Sequence, residues 1–322
     1  MKMNKWITPL YMCSLIFPMS SSSWLNIWIG LEINLMMFML ILNKKKSMMM
    51  SESMMKYFLI QATGSLMFLT SLSMNMIYYN EWPMIKVMIP PIALMLKMGL
   101  APIHMWMPEV VKNFNMNSLL LFLTVQKINP LLILYSSWYN IIFLSAIMNI
   151  MIGSLGGINE PLLNKMLVYS SITNSGWMIT SLMISNFMFI FMFTIYTLIL
   201  FNLILIFKKL KIKWILQLKS NNFFKKLSVY TMFMSMGGLP PLLGFIPKWM
   251  IIKNMINYLP MYSLVFIMFS CLNLFFYLKF SLNTMMPLQT TKKWMYFKNF
   301  KYNAITITTL NFMGIFMFNI MF

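Results

Sequence analysis

Arginine and aspartate are absent from this chain of 322 residues. Its 25 basic residues are all lysine, and its five acids are Glu32, Glu52, Glu81, Glu109 and Glu160. His104 is the only histidine; Cys13 and Cys271 are the only cysteines. Two thiols and one imidazole cannot ligate an iron–sulfur cluster, a bis-histidine haem or a structural zinc. They exclude a disulfide scaffold as well. No G-x-x-x-x-G-K-[S/T] loop or G-x-G-x-x-G turn occurs, which removes the two common phosphate-cradling loops. The chain is therefore expected to carry no metal, redox cofactor or nucleotide of its own. Charge is scarce too: 9% of residues are charged, against about 25% in ordinary soluble domains. Hydrophobic residues make up 60%, and the mean hydropathy is +0.74. A soluble globule of this size could not hide so much apolar surface, and a disordered chain would not contain it. The solvent expected is the bilayer, and the fold class expected is an all-α polytopic membrane protein.

Apolar runs between polar breaks give eleven candidate spans, roughly 6–22, 24–42, 56–78, 84–101, 115–139, 141–158, 162–184, 186–208, 228–257, 260–280 and 303–322. No cleavable signal is expected before the first. The lysines sort by side. The N-terminus and the breaks after even-numbered runs hold nineteen of the 25, including seven from Lys208 to Lys226. The turns near 18–23, 79–83, 139–141, 185–187 and 257–260 hold none. Such alternation is what the positive-inside rule produces. It places the N-terminus on the negative-potential side and the C-terminus opposite. The net charge of +20 thus reads as topology, with a minor role for anionic lipid, and nucleic acid is not an expected partner.

Four ionisable groups remain deep in apolar runs: Glu32, Lys97, Lys127 and Lys248. A charge at a helix centre costs roughly 2.5–3.5 kcal/mol on insertion scales, so such groups pair, face water or titrate. Snorkelling to an interface suits Lys86, Lys253 and Lys279, which lie near run ends, but it suits Glu32 and Lys127 badly. Two runs carry proline pairs, Pro90-Pro91 in the fourth and Pro240-Pro241 in the ninth. Proline deletes a donor and crowds the carbonyl four residues back, which frees the carbonyls of Lys86, Val87, Met236 and Gly237. Each pair is followed by a lysine, Lys97 or Lys248. The two runs are five apart and cross in opposite senses. This pattern predicts two inverted five-helix repeats, 1–139 and 140–280, with broken fourth and ninth helices, followed by a loop and last helix over 281–322. The whole forms one membrane domain. Pro130 gives the fifth run a softer break at Gln126, beside Lys127. His104 and Glu109 fall in an amphipathic connection, 102–114. His104 suits a proton relay or an interfacial residue beside Trp106, and the residues leave both open. Gly153, Gly156 and Gly157 permit close helix approach. Ser170, Ser171 and Thr173 are expected to hydrogen-bond across helices.

Five stretches carry a resemblance: WIGLEINLMMF around Glu32, LKMGLAPIHMWMPEVV around Lys97, FLTVQKINPLLIL around Lys127, GSLGGINEPLLNKMLVYSSITNSGWM from Gly153, and GGLPPLLGFIPKWMII around Lys248. In this order they resemble the subunit 2 family of mitochondrial NADH–ubiquinone oxidoreductase, respiratory complex I. The resemblance implies eleven spans, the remainder of a fourteen-span antiporter-like ancestor. It implies a glutamate–lysine pair, Glu32 with Lys97, continued by Lys127 and Lys248 as a polar axis for proton translocation. His104, Glu109 and Gln126 are supporting candidates. The implied activity is coupling of NADH oxidation by ubiquinone to proton pumping. NADH, FMN, iron–sulfur clusters and ubiquinone would sit on partner subunits. The expected partners are other membrane-arm and accessory subunits and cardiolipin, in the mitochondrial inner membrane with a matrix N-terminus. Asn164 stands where a basic residue is common in the family, and Lys253 adds a charge without an assigned role. A cation/proton antiporter subunit and a purely structural scaffold are the competing readings.

Overall fold

The computed structural model describes residues 4–43, 47–77, 83–214, 217–218, 223–258 and 260–285, together with Thr309, Asn311 and Gly314. Among these residues every regular element of any length is helical, and no strand occurs. The chain divides into two compact units, 1–145 and 146–322.

The first unit contains α1 (Asn4–Ser20), α2 (Trp24–Leu42), α3 (Met48–Ile77), α4 (Pro83–Met98), α5 (Trp106–Val111), α6 (Met116–Leu123) and α7 (Val125–Ser137). Ser23 starts α2 by accepting a hydrogen bond from Asn26 N, which satisfies one of the donors a helix start leaves open. Phe38 of α2, fully buried, anchors the packing. The rings of Tyr57, Phe122, Tyr11 and Phe114 surround it at centroid distances of 5.3 to 6.3 Å. These contacts fasten α1, α2, α3 and α6 together.

α8 (Tyr139–Gly157) leads into the second unit, which continues with α9 (Leu163–Ile184), α10 (Asn186–Leu210), α11 (Phe223–Gly237), α12 (Phe245–Tyr258) and α13 (Pro260–Met285). α9 is its axis, buried without interruption from Ser170 to Leu182. Glycines let α8 lie close to it. A Cβ at Gly153 would come 2.6 Å from Thr173 Cγ2, and one at Gly176 the same distance from Ile150 Cγ1. Trp177 meets Phe266 of α13 edge-on at 5.1 Å.

The helices coincide with ten of the apolar runs; the eleventh, 303–322, lies almost wholly outside the described residues. Among the described residues, four stretches are long and apolar enough to cross a membrane: Trp24–Leu42, Met116–Ser137, Asn186–Leu210 and Pro260–Leu282. Two expectations need correction. The fourth run is not interrupted at Pro90-Pro91, since both prolines lie inside α4. Proline's own φ is already helical, and both rings are buried, so neighbouring packing holds the turn. The break falls instead at Gly99, whose φ of 66° is a conformation glycine adopts without penalty. There Leu100 N closes back on Met95 O at 3.0 Å. The fifth run breaks at Thr124, which separates α6 from α7, while Pro130 sits within α7. The ninth run breaks around Pro240-Pro241 as expected, between α11 and α12. Pro247, in the first turn of α12, loses no helical bond there.

Candidate functional site

In the first unit, Lys97 occupies the last turn of α4 and is buried. Its stem lies close against α3 at Gly64, where an added Cβ would come 3.0 Å from Lys97 Cγ. Gln61, one turn earlier on α3, donates from Nε2 to Lys97 O at 2.8 Å. That bond satisfies a carbonyl which the end of α4 leaves without a helical donor. Glu32 is half-buried on α2, and its carboxylate acts electrostatically on Lys97. Among the described residues the two form no direct ion pair, so they are neighbours held apart.

Lys127 lies in the first turn of α7 and is 3% exposed. Its N–H reaches Thr124 O across the break at 3.2 Å. The preceding residue, Gln126, forms a reciprocal amide pair with Asn34 of α2. Asn34 Nδ2 donates to Gln126 Oε1 at 2.9 Å, and Gln126 Nε2 returns a bond to Asn34 Oδ1 at 3.4 Å. Ser14 of α1 donates to the same Oδ1 at 3.5 Å. The helix bearing Glu32 is thus tied to the helix bearing Lys127.

His104 is buried in the link between α4 and α5, with Nδ1 3.1 Å from Pro102 O. That bond suits a residue holding the link's shape. Glu109 is exposed and acts on Lys56, which pairs with Glu52 at 2.7 Å. It belongs to a surface charge group rather than to the buried lysines.

In the second unit, Lys248 is 5% exposed on the first turns of α12. Its Nζ donates to Met236 O and Gly237 O at 2.9 Å each. These are the two carbonyls that Pro240-Pro241 were expected to free. An ammonium at a helix C-terminus also meets the negative end of the helix dipole. The geometry of the break needs its glycines. Gly238 has φ 88°, and a Cβ there would crowd Lys248 Cδ at 3.1 Å. A Cβ at Gly244 would overlap the Ser235 carbonyl oxygen. Asn311 braces the far side, its carbonyl accepting from Leu243 N at 3.2 Å. Lys253, which had no assigned role, lies over the Trp249 ring at 5.1 Å. Ser170, Ser171 and Thr173 donate within α9, to carbonyls three residues back. Across helices, Thr173 receives a long side-chain hydrogen bond from Asn273 Nδ2 at 3.5 Å, and the Ser170 and Ser171 hydroxyls face those of Tyr277 on α13 and Tyr196 on α10.

Sequence reasoning missed Asn34 and Gln61. Their signal was available: a carboxamide inside an apolar run needs a partner for the same reason a charge does. Among the described residues, no group of three or more His, Cys, Asp and Glu stands ready for a metal ion.

A family model described as NADH:quinone oxidoreductase/Mrp antiporter, transmembrane, matches residues 21–276. NADH-ubiquinone oxidoreductase chain 2 of Anopheles gambiae is 35% identical over 97% of this chain and 96% of its own length. Chain 2 of Suricata suricatta is 38% identical over 82% and 80%. A chain of respiratory complex I from Thermus thermophilus superposes with a TM-score of 0.75 at 18% identity, covering 96% of this chain and 75% of that one. A chain of the Mrp complex from a Dietzia species gives 0.78 at 12% identity, covering 98% and 75%.

Proposed function

The chain belongs to the NADH:quinone oxidoreductase/Mrp antiporter transmembrane family, and from that premise we infer how its buried charges serve the activity. It is a proton-translocating membrane-arm subunit of NADH:ubiquinone oxidoreductase. The redox groups belong to other subunits, so this chain contributes to the enzyme through protons alone.

Proton translocation is assigned to Glu32, Lys97, Lys127 and Lys248. The observation that carries this reading is Lys248 seated on two backbone carbonyls at a helix break, a costly burial with no packing purpose that an apolar residue would not serve better. In the first unit, Glu32 and Lys97 interact without touching. Attraction between opposite charges rises steeply as they close in a low-dielectric setting. The pair therefore has a closed and an open arrangement, and a proton arriving at Lys127 tips it between them. Gln126 and Asn34 transmit that change, because they join the two helices concerned.

The remaining organisation is part of the same proposal: eleven spans in two inverted five-helix repeats, a matrix N-terminus, an intermembrane-space C-terminus and contact with cardiolipin. The sorting of lysines to one side supports it, as do the helix breaks beside Lys97 and Lys248.

The test is stoichiometry. Glu32→Gln and Lys97→Met, each in the assembled complex, should lower the number of protons moved per electron. The double substitution should harm assembly less than the sum of the two. A normal ratio in either single variant overturns the assignment. A scaffold reading predicts that normal ratio.

A further inference from the structure

An ammonium has three N–H donors, and Lys248 gives two of them to Met236 O and Gly237 O. A backbone carbonyl accepts a hydrogen bond but does not take up a proton near neutral pH. Neither bond can therefore carry a proton away from Nζ, and any exchange runs through the third donor. Lys248 lines a small cavity whose free volume suits about one water molecule. The polar residues in its wall are Asn174 of α9, Tyr196 of α10 and Ser235 of α11, all buried. Asn174 Nδ2 is tied to Ser170 O at 2.9 Å, which turns the amide and leaves Oδ1 to accept. Ser235 Oγ donates to Met232 O at 2.8 Å and keeps its lone pairs. Tyr196 has the Ser171 hydroxyl beside it. A buried water asks for two to four such partners, and an apolar cavity of this size would stay dry.

We propose that this cavity is a single-water site through which Lys248 exchanges its proton, with Asn174 and Tyr196 as positioning residues. The proposal rests on the reading of Lys248 as a proton carrier. In the step, one N–H bond of the ammonium breaks as an O–H bond forms on the water. The lysine is left a neutral amine, and the water, now hydronium, gives up one of its other protons to a further water beyond the site. The reverse hop recharges Nζ, and no electrons change hands. The route leads toward α9 and α10, away from the end of α11 that the ammonium caps.

The experiment compares Asn174→Leu, Tyr196→Phe, Asn174→Ser and Lys248→Met in the whole complex, reading protons moved per electron and proton-pumping turnover. Asn174→Leu replaces the polar wall by an apolar one, and Tyr196→Phe removes only the hydroxyl. Each should lower pumping turnover by roughly tenfold or more and reduce the ratio, while Asn174→Ser retains both. A merely structural role would reduce the amount of assembled complex and leave the ratio unchanged, which overturns the proposal. If Asn174→Leu does not assemble, Tyr196→Phe decides: a normal ratio overturns. Normal pumping in both variants with loss in Lys248→Met overturns the water site alone. Normal pumping in Lys248→Met overturns the reading of Lys248 and the water site with it.

Discussion

Gln61 holds the backbone carbonyl of Lys97 at 2.8 Å. A side chain of α3 thereby completes the end of α4 at the residue whose charge is buried. Replacing Gln61 by leucine keeps the bulk and removes the donor. The cost expected is that of a buried, unsatisfied carbonyl, about 1–3 kcal/mol. Thermal release of the subunit from the complex should occur at lower temperature, and pumping should fall because Lys97 loses its fixed position.

Asn34 and Gln126 form a pair that can be dissected. Asn34→Leu or Gln126→Leu alone strands the partner amide, at about 1–3 kcal/mol each. The double leucine variant removes both polar groups together. Its loss of stability should be smaller than the sum of the singles, measured by heat denaturation of the complex. Strict additivity would mean that the two amides do not depend on one another.

Gly244→Ala places a methyl group on the Ser235 carbonyl oxygen. Backbone cannot swing away as a flexible side chain can, so the α11–α12 break must shift. A destabilisation of about 1–3 kcal/mol is expected. It should be accompanied by reduced pumping, since the same break seats Lys248. Parent-like stability would show that the break is slack.

The Glu52–Lys56 pair offers a contrast at the surface, with side chains 61% and 49% exposed. The Lys56 ammonium beside Glu52 holds its carboxyl below the usual glutamate value. A depressed carboxyl stabilises the fold above its unfolded value and loses that contribution as pH falls through the folded one. Solvent screening keeps the effect small. Glu52→Gln should therefore differ little from the parent at neutral pH and not at all well below about pH 4. Thermal denaturation at both pH values checks this.

How far these features could be read in advance depended on the residue. Proline chemistry foretold that Met236 and Gly237 would need donors, and Lys248 supplies them. The same rule placed the α4 break too early. A missing N–H ends a helix only when neighbours fail to hold the turn, and that is decided by packing, not by the local sequence. Gly99, with Pro102 close behind, marks the true end. The break at Thr124 had no such mark, for threonine is no strong helix breaker. Its hydroxyl turns back on Leu120 O at 2.8 Å, a local bond that competes with helix continuation. Charges stand out in an apolar run, whereas the carboxamides of Asn34 and Gln61 do not, although burial makes similar demands of both.

α9 has no outside. Between Ser170 and Leu182 every side chain meets protein, at crystal-like packing density, and no position in that stretch can drift unnoticed by its neighbours. The outer side of α2 is the opposite, with Leu25, Ile29, Ile33, Met36 and Leu40 all exposed, so no neighbour within this chain fixes their shape. Inherited changes in the two helices should therefore differ in kind. Those in the middle of α9 are felt by its neighbours unless they keep polarity and roughly bulk, whereas apolar exchanges at the five outer positions of α2 change little within this chain.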